Sequence, residues 1–138
     1  MDFLNSSFRL FTFAGIAVRV HILYLVWMAF RLFQSPDYTL TLTFLLMLFA
    51  VVLMHEFGHC FGARAVGGDA ENILMWPLGG LAYANAPMTP WAQFVTVACG
   101  PLVNVGFCVV AGLVLIVSTG DPWILSPNPF SPVRYGSM

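Results

Sequence analysis

Residues 43–63 read TFLLMLFAVVLMHEFGHCFGA, and the fold turns on this stretch. Eleven apolar residues run from Phe44 to Met54, and then three polar side chains, His55, Glu56 and His59, interrupt a segment otherwise almost free of charge. Extended to 40–59 the run is about 20 residues long, and at about 1.5 Å per residue that matches the thickness of one hydrocarbon layer. The pattern predicts a helix over 38–66 that crosses a bilayer and stops at Gly67-Gly68, a pair suited to a helix C-terminus. A glutamate inside such a helix is expensive to bury, so it marks a functional site by default.

The composition agrees. Of the 138 residues, 59% are hydrophobic and 8% charged, where a soluble domain has about a quarter charged. Too few charges exist to cover a surface in water, so the solvent expected is lipid. The net charge is -1, lysine is absent and the five arginines are scattered, which excludes a nucleic-acid-binding reading. Cys60, Cys99 and Cys108 are odd in number and lie in apolar segments, so no disulfide framework fits, and they read as small buried hydrophobes. Cys60 follows His59 directly but projects about 100° away around the helix, which argues against a ligand role. Asp2 and sparse early positive charge do not fit a cleaved signal peptide.

Outward from the central helix, residues 8–20 are β-branched and aromatic around Gly15 and predict a strand or hairpin at the membrane surface. Residues 21–34 are apolar, and starting near Ile16 they give about 18 residues, enough for a first span; Ser35-Pro36-Asp37 ends it. Over 69–90 the sequence predicts two short strands around Leu78-Gly79-Gly80. A third span follows at 91–117, interrupted by Gly100-Pro101. The expected fold class is therefore an all-α membrane protein, with about three transmembrane helices and a small β hairpin or sheet element on the cytosolic side. Residues 1–118 form the membrane-embedded core, and 119–138, with four prolines, an irregular tail. Arg9, Arg19 and Arg64 on one side against Arg31 on the other place the N-terminus and the 69–90 segment in the cytosol. The expected location is the cell (inner) membrane.

His55 and His59 are four residues apart on one helix, so both imidazoles leave the same face a turn apart. That spacing lets two nitrogens bind one Zn²⁺ at about 2.0–2.1 Å. Glu56 can reach a water held by such an ion without being a ligand, take its proton during attack on a carbonyl, and pass it to the leaving amine. The bland alternatives are a polar cluster gluing helices together, a haem pair or a proton relay. After His59 the sequence runs Cys60-Phe61-Gly62-Ala63-Arg64-Ala65. Alanine at position 65 excludes the soluble class with a third histidine there. Glu71 comes too early, in a predicted loop or strand, to serve as the glutamate of the thermolysin-like class.

Taken together, several features resemble the site-2 proteases, which cut transmembrane segments inside the bilayer: the apolar arm with Gly15-Ile16 and Val20-His21, His55-Glu56-Phe57-Gly58-His59 on the second span, Pro77-Leu78-Gly79-Gly80, and Gly100-Pro101-Leu102-Val103-Asn104 on the third. The resemblance covers about 8–117 and is closest to the branch with the bacterial sporulation-factor proteases. It implies a zinc endopeptidase with His55 and His59 as metal ligands, Glu56 as the catalytic residue that activates water, and Asn104 as a catalytic residue that positions substrate or stabilises the oxyanion. The partners implied are a membrane-spanning protein substrate and the lipid bilayer; the oligomeric state is left open. The 69–86 strands read as a lip that receives an unwound substrate as an added strand. His21 sits at a family landmark, although an interfacial histidine is the favoured reading of it.

The resemblance also implies a third zinc ligand, an aspartate in a Leu-Asp-Gly or Asn-Pro-Asp-Gly motif on a further span. Asp2, Asp37, Asp69 and Asp121 lie in no such motif, and Asn128-Pro129 is followed by Phe130. The expectation is a truncated form, with a ligand from another subunit or from Asp121 or Asp69 as the other routes. The alternative is a catalytically inactive member acting as a membrane binding protein.

Overall fold

Two positive-φ residues start the fold: Ala14 (φ 51°) and Gly15 (φ 76°) form a two-residue turn between β1 (Ser7–Phe13) and β2 (Ile16–His21), the backbone that matches the twist of antiparallel strands. The computed structural model describes residues 6–120. After β2 come helices α1 (Ile22–Phe33) and α2 (Tyr38–Ala65), strands β3 (Asp69–Trp76) and β4 (Gly79–Asn85), and helix α3 (Pro90–Thr119). The chain divides into two compact units, 1–104 and 105–138. The first holds everything up to Asn104 on α3, and the described part of the second is the remaining stretch of that helix.

Both long helices are apolar enough to cross a membrane, at 28 and 30 residues. Asp37 caps α2 by accepting from the Leu40 amide at 3.0 Å. At the other end Gly67 takes φ 84° while Gly67 N–H and Gly68 N–H donate to the carbonyls of Arg64 and Ala63 at 3.2 and 2.8 Å. This is the paired closure expected where a glycine follows a helix.

Three expectations need correction. The fold is not all-α: β1 to β4 form one four-stranded sheet in that order, with β2 and β3 parallel and the outer pairs antiparallel. The two predicted hairpins thus share one sheet, because α1 and α2 return the chain to lie beside β2. The first span is not formed either. Residues 16–21 are strand, which leaves α1 with 12 residues and a length of about 18 Å, too short to cross. Third, α3 runs through Gly100-Pro101 without interruption; a single missing N–H is tolerated within a long apolar helix. The tail from 121 onward lies outside the described residues.

The core forms where one face of the sheet meets α2. Ile16, Val18 and Val20 of β2, with Ala70, Ile73 and Met75 of β3, pack against Leu53, Phe57 and Cys60 of α2 and Tyr24 of α1. Each large side chain removed from water here contributes about 1.5–3 kcal/mol. Arg64 ties the assembly at the end of α2. Its guanidinium donates to the Ala14 carbonyl at 2.5 Å and to the Ala70 carbonyl at 2.7 Å, linking the β1–β2 turn to the start of β3.

Candidate metal centre

Helix α2 presents three different surfaces within five residues. Glu56 and Phe57 are buried, at 8% and 6% exposed, while His55 and His59 are half-buried. The imidazoles meet with their Nε2 atoms 3.1 Å apart and their planes near perpendicular at 85°. Two nitrogens at the Zn–N distances above, held at a tetrahedral angle, stand about 3.3 Å apart. The pair therefore fits a zinc ion with a shift of a few tenths of an ångström. Among the described residues, no set of three His, Cys, Asp or Glu side chains converges on a common point.

The rings are held from α3. His59 Nδ1 lies 2.8 Å from the Thr96 carbonyl oxygen, so Nδ1–H donates there and leaves the Nε2 lone pair directed at the shared point. The backing of a ligating imidazole by a carbonyl is the usual means of fixing its tautomer. His55 Nδ1 lies 3.5 Å from the side-chain nitrogen of Asn104. That amide thus lies beside the Nδ1 edge of the His55 ring.

Close approach of α3 depends on glycines. A Cβ built at Gly100 would overlap the His59 ring, with all three nearest atoms belonging to the imidazole. A Cβ at Gly58 would stand 2.5 Å from the Cys99 carbonyl oxygen, and one at Gly62 2.8 Å from the Cys99 Cβ. Gly58 and Gly62 form a small-xxx-small stripe, the device by which membrane helices pack backbone to backbone.

Strand β4 supplies the other wall. Glu56 Oε2 accepts from the Ala82 amide at 3.0 Å, and its side chain lies against Gly80, where a Cβ would overlap Glu56 Cγ. Because among the described residues β4 pairs with β3 alone, the Ala82 N–H belongs to the open edge of the sheet. Glu56 Oε1 has no hydrogen-bond partner among the described residues.

Of the residues singled out in the sequence, the structure brings His55, His59 and Asn104 together and sets Glu56 against β4. It does not bring in Asp69, which is exposed at the start of β3 and caps the Ala70 amide at 2.8 Å. Glu71 is exposed as well. Cys60 is buried in the sheet-facing core, as its angular offset from His59 requires. His21 is the N-cap of α1, where its Nδ1 accepts from Leu23 N–H at 3.2 Å. Asp121 lies outside the described residues. Sequence reasoning missed Thr96 and Ala82, which act through backbone and so leave no side-chain signal; Gly80 reads in the sequence as part of a glycine turn, and its close contact with Glu56 has no signal there. The four-residue spacing of Gly58 and Gly62 could have been found.

Comparison with known proteins adds four findings. The model of the family described as peptidase family M50 matches residues 43–135. A zinc metalloprotease of Methanocaldococcus jannaschii is 29% identical over 116 residues, which cover 83% of this chain and 33% of that protein. A Synechocystis protein named as a candidate zinc metalloprotease is 32% identical over 117 residues, covering 75% of this chain and 31% of that one. Among solved structures, the site-2 protease from Methanocaldococcus jannaschii superimposes with a TM-score of 0.61 at 29% identity, covering 83% of this chain and 51% of that one. The chain spans about a third of the length of the curated relatives it matches.

Proposed function

The chain belongs to peptidase family M50, and from that premise we propose that it is an intramembrane zinc metalloprotease, hydrolysing peptide bonds of membrane-spanning proteins. The observation that carries the reading is the pair of Nε2 atoms 3.1 Å apart on an apolar 28-residue helix, with a buried carboxylate between them in sequence. Such a pair costs too much in lipid to serve packing alone.

His55 and His59 would hold the ion. Zinc, when bound, polarises a carbonyl and lowers the pKa of a water. Glu56 does the proton work: Ala82 N–H holds Oε2 in place, and Oε1 takes a proton from the attacking water and returns it to the leaving nitrogen. Two histidines and a water leave zinc one protein ligand short of the usual catalytic set, so we place the third ligand outside the described residues. The open edge of β4 supports a docking role for the sheet. A substrate segment unwound into a strand and paired there would run past the Glu56 carboxylate, with main-chain hydrogen bonds supplying affinity. Arg64 supports the topology inferred from arginines, since it ties the sheet to the C-terminal end of α2. The sheet and the N-terminus are then cytosolic, in the cell (inner) membrane.

A second reading, an inactive relative that binds membrane proteins without cutting them, is favoured by the lack of a third converging ligand among the described residues. Zinc content and cleavage of a single-span reporter in liposomes separate the two. The protease reading expects bound zinc, cleavage by the wild type and none by Glu56→Gln. Bound zinc without cleavage by the wild type supports the binding protein instead.

A further inference from the structure

We infer that Asn104 is a positioning residue: its side-chain amide selects which nitrogen of His55 is free to bind metal. The inference rests on the zinc reading above. Two proton arrangements satisfy the distances along the chain Asn104, His55, His59, Thr96. In the first, Asn104 NH₂ donates to His55 Nδ1 (3.5 Å), His55 Nε2–H donates to His59 Nε2 (3.1 Å), and His59 Nδ1–H donates to the Thr96 carbonyl (2.8 Å). Every nitrogen in that relay is satisfied, but the Nε2 of His55 carries a proton and cannot be a ligand.

In the second arrangement His55 carries its proton on Nδ1, and both Nε2 lone pairs face one point. Nδ1–H then needs an acceptor, and the polar group the structure sets beside it is Asn104. A carboxamide provides one by turning half a revolution about its terminal torsion, which exchanges NH₂ for oxygen at nearly constant shape. His59 needs no such change, since the Thr96 carbonyl accepts in both arrangements. The two ligands are therefore unequal. A fixed backbone carbonyl locks His59, whereas a reversible amide sets His55. An asparagine fits here because it serves both tautomers; a carbonyl or carboxylate would serve only one.

The test is zinc affinity of the full chain in detergent or nanodiscs, measured by competition with a chromogenic chelator, for the wild type, Asn104→Leu and Asn104→Asp. Loss of the acceptor in Asn104→Leu is expected to weaken zinc binding 10–100-fold, the range for removing a partner behind a ligand. Asn104→Asp keeps an acceptor of the same shape and is expected to bind zinc within about threefold of wild type or more tightly. That rescue distinguishes positioning from a structural role. Zinc bound equally by wild type and Asn104→Leu overturns the inference while leaving the metal site standing, and so does weakening by Asn104→Asp as large as by Asn104→Leu. Failure of the wild type to bind zinc overturns both this inference and the reading beneath it.

Discussion

Gly100→Ala adds one methyl group where the structure has room for none. The three atoms nearest the added Cβ are His59 Cε1, Nε2 and Nδ1, all inside ordinary contact distance. Carbon atoms pack at about 3.5–4.0 Å, so the ring has to move by about 1 Å. Its Nδ1 is tied to Thr96 at 2.8 Å, and the move breaks that bond or drags α3 away from α2. Metal sites tolerate about 0.2 Å at each ligand, so a displacement several times larger removes His59 from the site. Zinc binding should weaken by at least 100-fold, and overpacking of this kind costs about 1–3 kcal/mol of stability. Gly106→Ala in the same helix is the control. A Cβ there meets nothing within 4 Å, and alanine is better than glycine in a helix interior by about 0.5–1 kcal/mol. Equilibrium zinc titration together with thermal unfolding in detergent reads both variants. Gly100→Ala binding zinc like the wild type would refute the claim that His59 is held against α3 at this point.

Other perturbations separate the parts of the site. Gly80→Ala should press on Glu56 Cγ and Oε1 and lower the cleavage rate by about 10–100-fold, with zinc content unchanged; equal losses in both would place Gly80 elsewhere in the account. Ala82→Pro removes the amide that holds Glu56 Oε2 at an edge position where proline is tolerated, so kcat should fall while circular dichroism stays as in the wild type. Arg64→Met loses the bonds to Ala14 and Ala70, a destabilisation of about 2–4 kcal/mol for two hydrogen bonds from a charged group, readable as a lowered denaturation midpoint. Gly58→Leu meets the backbone carbonyl of Cys99, which cannot yield as a side chain can; a disulfide-trapping or distance measurement between α2 and α3 should report separation.

Much of the fold was legible because lipid imposes strict rules. The span 38–66 follows from apolar length alone, its stop from Gly67-Gly68, and the 69–86 strands from two short apolar runs around a glycine turn. What failed was the first span. Residues 16–20 carry both a strand pattern and enough apolar length to extend a helix, and their pairing with β1 and β3 decides for strand, a long-range fact that local composition leaves open. The joining of two hairpins into one sheet was hidden for the same reason. At the site, the spacing of His55 and His59 predicted convergence, and the imidazoles do meet. The surroundings of the pair were only partly legible: Thr96 and Ala82 contribute a carbonyl and an amide, and Gly100, visible in its motif, gives no hint there of its contact with His59. Asn104 was found by its motif, but its place beside His55 Nδ1 is a contact that the motif alone does not name.

The central claim is that His55 and His59 jointly hold zinc. Zinc-edge X-ray absorption of the zinc-loaded full chain tests it most directly, read against the His55→Ala and His59→Ala variants. The account expects two imidazole nitrogens at about 2.0–2.1 Å in the wild type and the loss of one in each variant. An unchanged histidine count in both variants, or a wild-type spectrum without histidine, would contradict it.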